Sequence, residues 1–134
     1  MRILLGLMTS LALGGTAWAQ TTMSAPEAVV REQLEAFDTR DVARAWSHAS
    51  DTIKGLFGSI ETFARMVEQG YPPIWDSAGA RLIGERAEGG RQIVEMAVTG
   101  ENGREQVFEY TLIETAQGWK IDGVRPIELP GLAV

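Results

Sequence analysis

The sequence predicts an α+β fold in which three N-terminal helices pack on a curved four-stranded antiparallel sheet. Three observations lead to this prediction. Apolar residues recur at spacings of three and four between residues 25 and 70, the spacing changes to two from residue 78 onward, and glycine-rich turn sequences separate the later segments. Helices followed by a hairpin-linked sheet are typical of two layers around a single core.

The first helix is predicted from Ala25 to Asp38. Ser24 is followed three residues later by Glu27, which is the spacing of a capping box. Val30, Leu34 and Phe37 then fall on one face of the helix.

Two further helices are predicted from their caps and their apolar stripes. Asp41 is the expected N-cap of a short second helix, and Ser59 that of a third helix that ends near Gly70. The second helix carries Val42, Ala45, Trp46 and Ala49 on its apolar face, and the third carries Ile60, Phe63, Met66 and Val67.

Four strands are predicted at about residues 78–87, 92–99, 105–114 and 119–125, because apolar side chains alternate along them. The intervening Glu88-Gly89-Gly90, Asn102-Gly103 and Gln117-Gly118 are sequences of tight hairpin turns. Such short connections make neighbouring strands antiparallel.

The stretch "EQGYPPIWDS", residues 68–77, joins the helices to the sheet. Pro72 and Pro73 predict an extended connector, after which Ile74 and Trp75 return to the body of the domain. We expect this segment to form a stiff lid over the wide end of the core, where it would border any cavity.

The N-terminal residues have the pattern of a secretory signal peptide. Arg2 precedes an apolar run over residues 3–13, and Ala17-Trp18-Ala19 supplies a cleavage site after residue 19. We therefore expect a signal peptide at 1–19 and a single domain at 20–134 with a C-terminal tail from about residue 126. The expected location is the periplasm or the extracellular medium, without membrane association once the signal is removed.

The composition excludes several classes of function. The chain has 12 Lys and Arg against 18 Asp and Glu, so its formal net charge is −6, and an acidic surface disfavours binding to nucleic acid. One histidine and no cysteine leave no credible set of metal ligands. No glycine-rich loop of the nucleotide-binding type is found, so no cofactor is expected.

The run "QLEAFDTRDVARAWSHASDTIKGLFGSIETFARMVEQGYPPIW", followed later by "GWKIDGV", resembles an uncharacterised family of small exported bacterial proteins. That family is a domain of unknown function within the nuclear-transport-factor-2-like superfamily. The resemblance covers about residues 27–125 and implies a conical fold with a cavity between the helices and a strongly bent sheet. It implies no catalytic residues.

Four aromatic residues with polar tips, Trp46, Tyr71, Trp75 and Tyr110, are the candidate ligand-binding residues. They would line a pocket in which an apolar ligand stacks. The alternative interpretation is that they fill the core. His48 has two interpretations as well: a general base oriented by Asp51, or an exposed or capping residue at the end of the second helix.

Three functions follow from these observations. The first is a non-catalytic module that binds a small apolar ligand or a protein partner. The second is an isomerase or dehydratase with an acid-base pair in the cavity. The third is an interaction protein, monomer or homodimer, that associates through the outer sheet face at Ile93, Val107, Ile113 and Val124.

Overall fold

The computed structural model describes residues 22–128, so the expected signal peptide and residues 129–134 of the expected tail lie outside it. Its helices are α1 (Ala25–Asp38), α2 (Val42–Ser47), α3 (Asp51–Phe57), α4 (Ile60–Gly70) and α5 (Pro72–Trp75). Its strands are β1 (Ser77–Glu88), β2 (Arg91–Gly100), β3 (Glu105–Thr115) and β4 (Gly118–Ile127). The α+β class and the four antiparallel strands are confirmed.

The sheet is a meander in the order β1-β2-β3-β4, in which every neighbouring pair is antiparallel. Gly89 and Gly90 form the first turn with φ angles of 57° and 77°, a backbone region that favours glycine. The register shifts twice between β1 and β2 and once between β3 and β4. Such irregularities increase the local bend and twist of a sheet.

The core lies between α1 and the inner face of the sheet. Val94 and Met96 of β2 and Phe108 of β3 project from that face, as their alternation predicts, and they are at most 1% exposed. Val30 and Phe37 of α1 join the same cluster. Burial of these side chains is the main source of stability in a chain without disulfides.

The caps predicted for the helices are present. The side chains of Ser24, Asp41 and Ser59 accept hydrogen bonds from the backbone N–H groups of Glu27, Arg44 and Thr62 respectively. The Glu27 carboxylate instead accepts a hydrogen bond from Arg31 at 2.7 Å.

The prediction of three helices was incomplete, because α3 and α5 are also helical. Ser50 caps α3 by accepting a hydrogen bond from the N–H of Ile53. The extended connector predicted at Pro72 and Pro73 was wrong, since both prolines lie in the first turn of α5. A first turn needs no N–H donors, and the fixed φ of proline suits it. Tyr71 alone keeps the non-helical conformation expected before a proline.

The segment between α2 and α3 lies along the outer edge of β4. Ala49 forms an isolated parallel bridge with Ile121. Ser50 donates its backbone N–H to the carbonyl of Ile121, and Ile121 donates to the carbonyl of His48, both at 2.8 Å. These bonds hold the start of α3 against the sheet.

Among residues 22–128, no helix is both long enough and apolar enough to cross a membrane.

Candidate functional site

A cavity of about 180 Å³ lies between the helices and β4. Side chains from α1, α3, α4, α5 and β4 form its wall together with the segments between them. The lining residues are Gln33, Phe37, Ala49, Ile53, Phe57, Phe63, Met66, Val67, Tyr71, Ile74, Ile121, Gly123 and Val124.

Aromatic rings make one side of this wall. Phe63 of α4 is central: its ring centroid lies 5.6 Å from that of Phe37, 5.9 Å from that of Phe57 and 5.3 Å from that of Trp46. Tilted and edge-on pairs at these separations are favourable beyond the area they bury. The contacts of Phe63 with Phe37 and Trp46 therefore hold the α1 and α4 side of the cavity in shape.

Only two of the described lining residues, Gln33 and Tyr71, carry a side-chain nitrogen or oxygen. Gln33 is 4% exposed and donates from Nε2 to the carbonyl of Ala45 at 3.1 Å. The Tyr71 hydroxyl donates to the carbonyl of Val124 at 3.5 Å, which is long for an O–H donor. The interior is thus apolar, with one well-held amide and one weakly held hydroxyl.

Helix α3 covers the cavity loosely. Ile53 and Phe57 line the cavity, but none of the residues 51–57 is fully buried, and Leu56 is 73% exposed. The helix ends at Gly58, whose φ is 77°. Elements with few buried contacts open at low free-energy cost. The most easily opened part of the wall is therefore α3.

The structure brings one of the four predicted site residues, Tyr71, into the cavity wall. Trp46 lies behind Phe63 and has the Lys54 ammonium 5.9 Å from its ring. Trp75 packs on Phe37 with centroids 5.9 Å apart, and the Arg40 guanidinium lies 4.1 Å above its ring.

Tyr110, the fourth predicted site residue, is fully buried on the inner face of β3 and does not line the cavity. Its hydroxyl has no hydrogen-bond partner among residues 22–128. Burial raises the pKa of Tyr110 well above its ordinary value, so the phenol is neutral at physiological pH.

Gln33 lies on the same face of α1 as Val30 and Phe37 and was not among the predicted site residues. A glutamine within an otherwise apolar stripe was the available signal. Ile53 and Phe57 were missed because α3 itself was not predicted.

His48 is the C-cap of α2, and its Nε2 lies 3.3 Å from Oε2 of Glu32. Burial lowers the pKa of His48, and the nearby cations Lys120 and Arg44 act in the same direction, while the Glu32 carboxylate opposes them. The carboxylate in contact with His48 is therefore that of Glu32 rather than Asp51, and His48 does not line the cavity.

The titratable groups of residues 22–128 do not form a catalytic set around the cavity. Tyr71 is the one titratable side chain among its described lining residues. Within the described part of the chain, no group of three or more His, Cys, Asp and Glu residues could hold a metal ion. The arrangement offers apolar contact and hydrogen bonding.

The outer face of the sheet carries a network of charges. Glu95 and Glu109 lie directly opposite each other, and Arg86 bridges them at 2.9 and 3.4 Å. Arg125 adds a second contact to Glu109 at 2.9 Å. The network relieves the repulsion between the two carboxylates.

The apolar residues expected on this outer face are largely hidden. Ile93 and Val107 are 6% and 4% exposed. Val124 was wrongly placed there: it lies opposite Tyr110 in the register and packs against the core, because the strands shift register between Thr111 and Leu112.

The fold and the site define an α+β protein with an apolar cavity beneath a loosely packed helix. The chain belongs to the family described as Domain of unknown function (DUF4864), whose model matches residues 19–134. A search of curated proteins found no match. The chain is similar to a SEC-C motif containing protein from Rhodopseudomonas palustris, whose structure was determined in solution. The identity is 18%, the TM-score is 0.59, and the match covers 78% of this chain and 80% of that one. At this identity the likeness shows the fold alone.

Proposed function

We propose that this protein binds a small apolar molecule, without transforming it, in the cavity beneath α3. The observation that carries the proposal is the composition of the wall. Apart from Gln33 and Tyr71, the described lining residues offer no side-chain nitrogen or oxygen. Apolar walls with a few polar groups are the usual character of small-molecule sites.

The volume sets the size of the ligand. An engineered cavity of about 150 Å³ lined by Leu, Ile and Phe stays dry and binds benzene. The cavity here is slightly larger, at about 180 Å³. A single ring with a small substituent, or a short branched chain, therefore fits without distortion of the wall.

Helix α3 provides the route of entry. Ile53 and Phe57 close the cavity from one side, while the helix as a whole has no fully buried residue. Local opening of α3 would expose the interior while the core between α1 and the sheet stays intact.

The experiment is a titration of the full chain with toluene, followed by NMR of its methyl groups. Toluene is expected to shift the methyl signals of Met66 and Ile53, which line the cavity. The methyl of Met23, which is 47% exposed outside the cavity, serves as the internal reference.

Two variants distinguish the cavity from a general apolar surface. Val67→Phe places a ring in the cavity from a wall residue and is expected to abolish the shifts. Leu56→Phe adds a ring at an exposed position of α3 and is expected to preserve them. Shifts that survive in Val67→Phe, or no shifts in the native chain, would contradict the proposal.

The likeness to the nuclear-transport-factor-2-like cone is also a proposal. It is supported by the four-stranded meander with three register shifts and by the burial of one sheet face under the helices. An experimental structure with a flat sheet and helices at its ends would contradict it.

Export from the cytoplasm is a third proposal. Its support is the charged start, the apolar run and the small-residue site before residue 20, together with a family match that begins at residue 19. Intact-mass measurement of the protein from cell fractions tests it. A full-length cytoplasmic product would overturn it.

A further inference from the structure

We propose that the cavity selects neutral molecules that carry one hydrogen-bond donor, in the class of phenols and small alcohols, and that Oε1 of Gln33 accepts the donor. This inference rests on the proposed binding function and defines its ligand more closely.

The hydrogen bond to Ala45 fixes the orientation of the Gln33 amide. Nε2 donates to the Ala45 carbonyl at 3.1 Å, and a carbonyl oxygen can only accept. The nitrogen of the amide must therefore face α2. The same carbonyl also accepts from the N–H of His48 at 3.2 Å, so it is held in place by the turn that ends α2.

The carboxamide oxygen is then the free acceptor that Gln33 brings to the wall. Within residues 22–128, Oε1 accepts no hydrogen bond, although Gln33 is 4% exposed and lines the cavity. In the same part of the chain, Tyr110 supplies the only fully enclosed side-chain atom without a partner, so Oε1 of Gln33 is not sealed off and remains accessible to a ligand group or a water. Because the other described lining side chains except Tyr71 are apolar, a molecule inside the cavity is the natural source of the partner.

The other residues of the wall favour a neutral ligand with a single hydrogen-bond donor. Among the described lining residues no side chain is charged, so a carboxylate or an ammonium group would be buried without a partner. Tyr71 supplies a second polar atom, weakly engaged with the Val124 carbonyl at 3.5 Å. A ligand hydroxyl suits Gln33 and Tyr71 together, since it can donate to Oε1 of Gln33 and accept from the Tyr71 hydroxyl.

The test compares phenol with toluene, which differ by a hydroxyl in place of a methyl group, on the full chain by NMR. Phenol is expected to move the signal of the Gln33 carboxamide carbon further than toluene does, because phenol adds a donor to its oxygen, whereas toluene contributes only the effect of a nearby ring. This measurement uses the native chain and does not depend on a variant that folds.

The dissociation constants of Gln33→Met add a second measurement. Methionine keeps the length of the side chain and removes the acceptor. Phenol binding is expected to weaken by about tenfold, whereas toluene binding stays the same or strengthens, since a hydrogen bond contributes about this factor. Tyr71→Phe, which removes the hydroxyl of the other polar lining residue, is expected to change the preference for phenol over toluene less.

The outcomes separate the inference from the function on which it rests. If both ligands bind and move the Gln33 carbon alike, or if the preference is unchanged in Gln33→Met, a water pairs with Oε1 and the inference fails while the binding function stands. If neither phenol nor toluene binds, the binding function fails and the inference with it.

Discussion

The hydroxyl of Ser50 donates a hydrogen bond to the carboxylate of Asp122 at 2.8 Å, which joins the start of α3 to the last strand across 72 residues of sequence. Ser50 is 1% exposed and also caps α3 by accepting from the N–H of Ile53. Asp122 in turn accepts from Arg91 at 2.6 Å. Ser50 thereby anchors the N-terminal end of α3, while the rest of this helix has no fully buried residue.

The substitution Ser50→Ala is expected to destabilise the protein by about 2 kcal/mol, because it removes both a helix cap and a buried bond to a carboxylate. Ser59→Ala is the matched control, since Ser59 caps α4 at a more exposed position, and it is expected to cost about 1 kcal/mol. Urea unfolding monitored by circular dichroism measures both. Equal losses would show that the bond to Asp122 contributes nothing.

Replacement by alanine is expected to have opposite effects on stability at Gly55, inside α3, and at Gly58, just after it. Gly55 lies inside the helix, and an added Cβ meets nothing within 4 Å, so Gly55→Ala should stabilise by about 0.5 to 1 kcal/mol. Gly58 follows the helix with φ of 77°, so Gly58→Ala should destabilise by about 1 kcal/mol. Urea unfolding measures the stability of both variants. A Gly58→Ala variant more stable than the native chain would contradict the positive φ of Gly58.

The buried hydroxyl of Tyr110 is expected to lower stability, because it has no partner among residues 22–128. Tyr110→Phe removes it with little loss of packing and is expected to stabilise by about 1 kcal/mol at neutral pH. A loss of similar size would mean that the hydroxyl is paired. Tyr71→Phe serves as the control for loss of a hydroxyl.

Tyr110→Phe is also expected to change how stability depends on pH in the alkaline range. Burial raises the pKa of Tyr110 above its ordinary value of about 10. Above pH 10 the unfolded chain therefore loses a proton that the folded chain keeps, and stability falls as the pH rises, by at most about 1.4 kcal/mol per pH unit. The difference in stability between Tyr110→Phe and the native chain should widen between pH 9 and pH 11.

His48 makes the fold sensitive to acid. Burial lowers the pKa of His48 below its ordinary value of about 6.5. As the pH falls through this value the unfolded chain binds a proton that the folded chain resists, so the stability present above pH 6.5 is lost progressively on acidification. Urea unfolding at pH 7.5 and pH 5 should show a larger loss in the native chain than in His48→Gln. Equal losses would rule out His48 as the cause.

Much of the fold could be predicted because long elements repeat their pattern many times. Val30, Leu34 and Phe37 mark three turns of α1, and the alternation in β2 and β3 assigns Met96 and Phe108 to the core correctly. Helix α3 was missed because only Ile53 and Phe57 face inward and Gly55 interrupts the pattern, although Ser50 was a readable cap. The prolines of α5 suit extended chain and the first turn of a helix equally well, so the sequence alone did not decide between them.

The candidate site was less predictable than the fold. Aromatic residues were selected for their polar tips, but whether a ring lines a cavity or fills the core depends on which neighbours surround it. Tyr71 and Tyr110 are the same residue type, and only Tyr71 lines the cavity. Gln33 interrupts the apolar face of α1, but a single polar residue does not repeat along the chain, so the interruption alone did not mark it as part of a site.

The most direct test of the cavity is a crystal structure of the protein under xenon pressure, because xenon occupies dry apolar cavities. We expect a xenon atom between α3, α4 and β4, in contact with Phe57, Phe63 and Val67. Crystals in which Ile53 and Phe57 fill this space and no xenon binds would contradict the account.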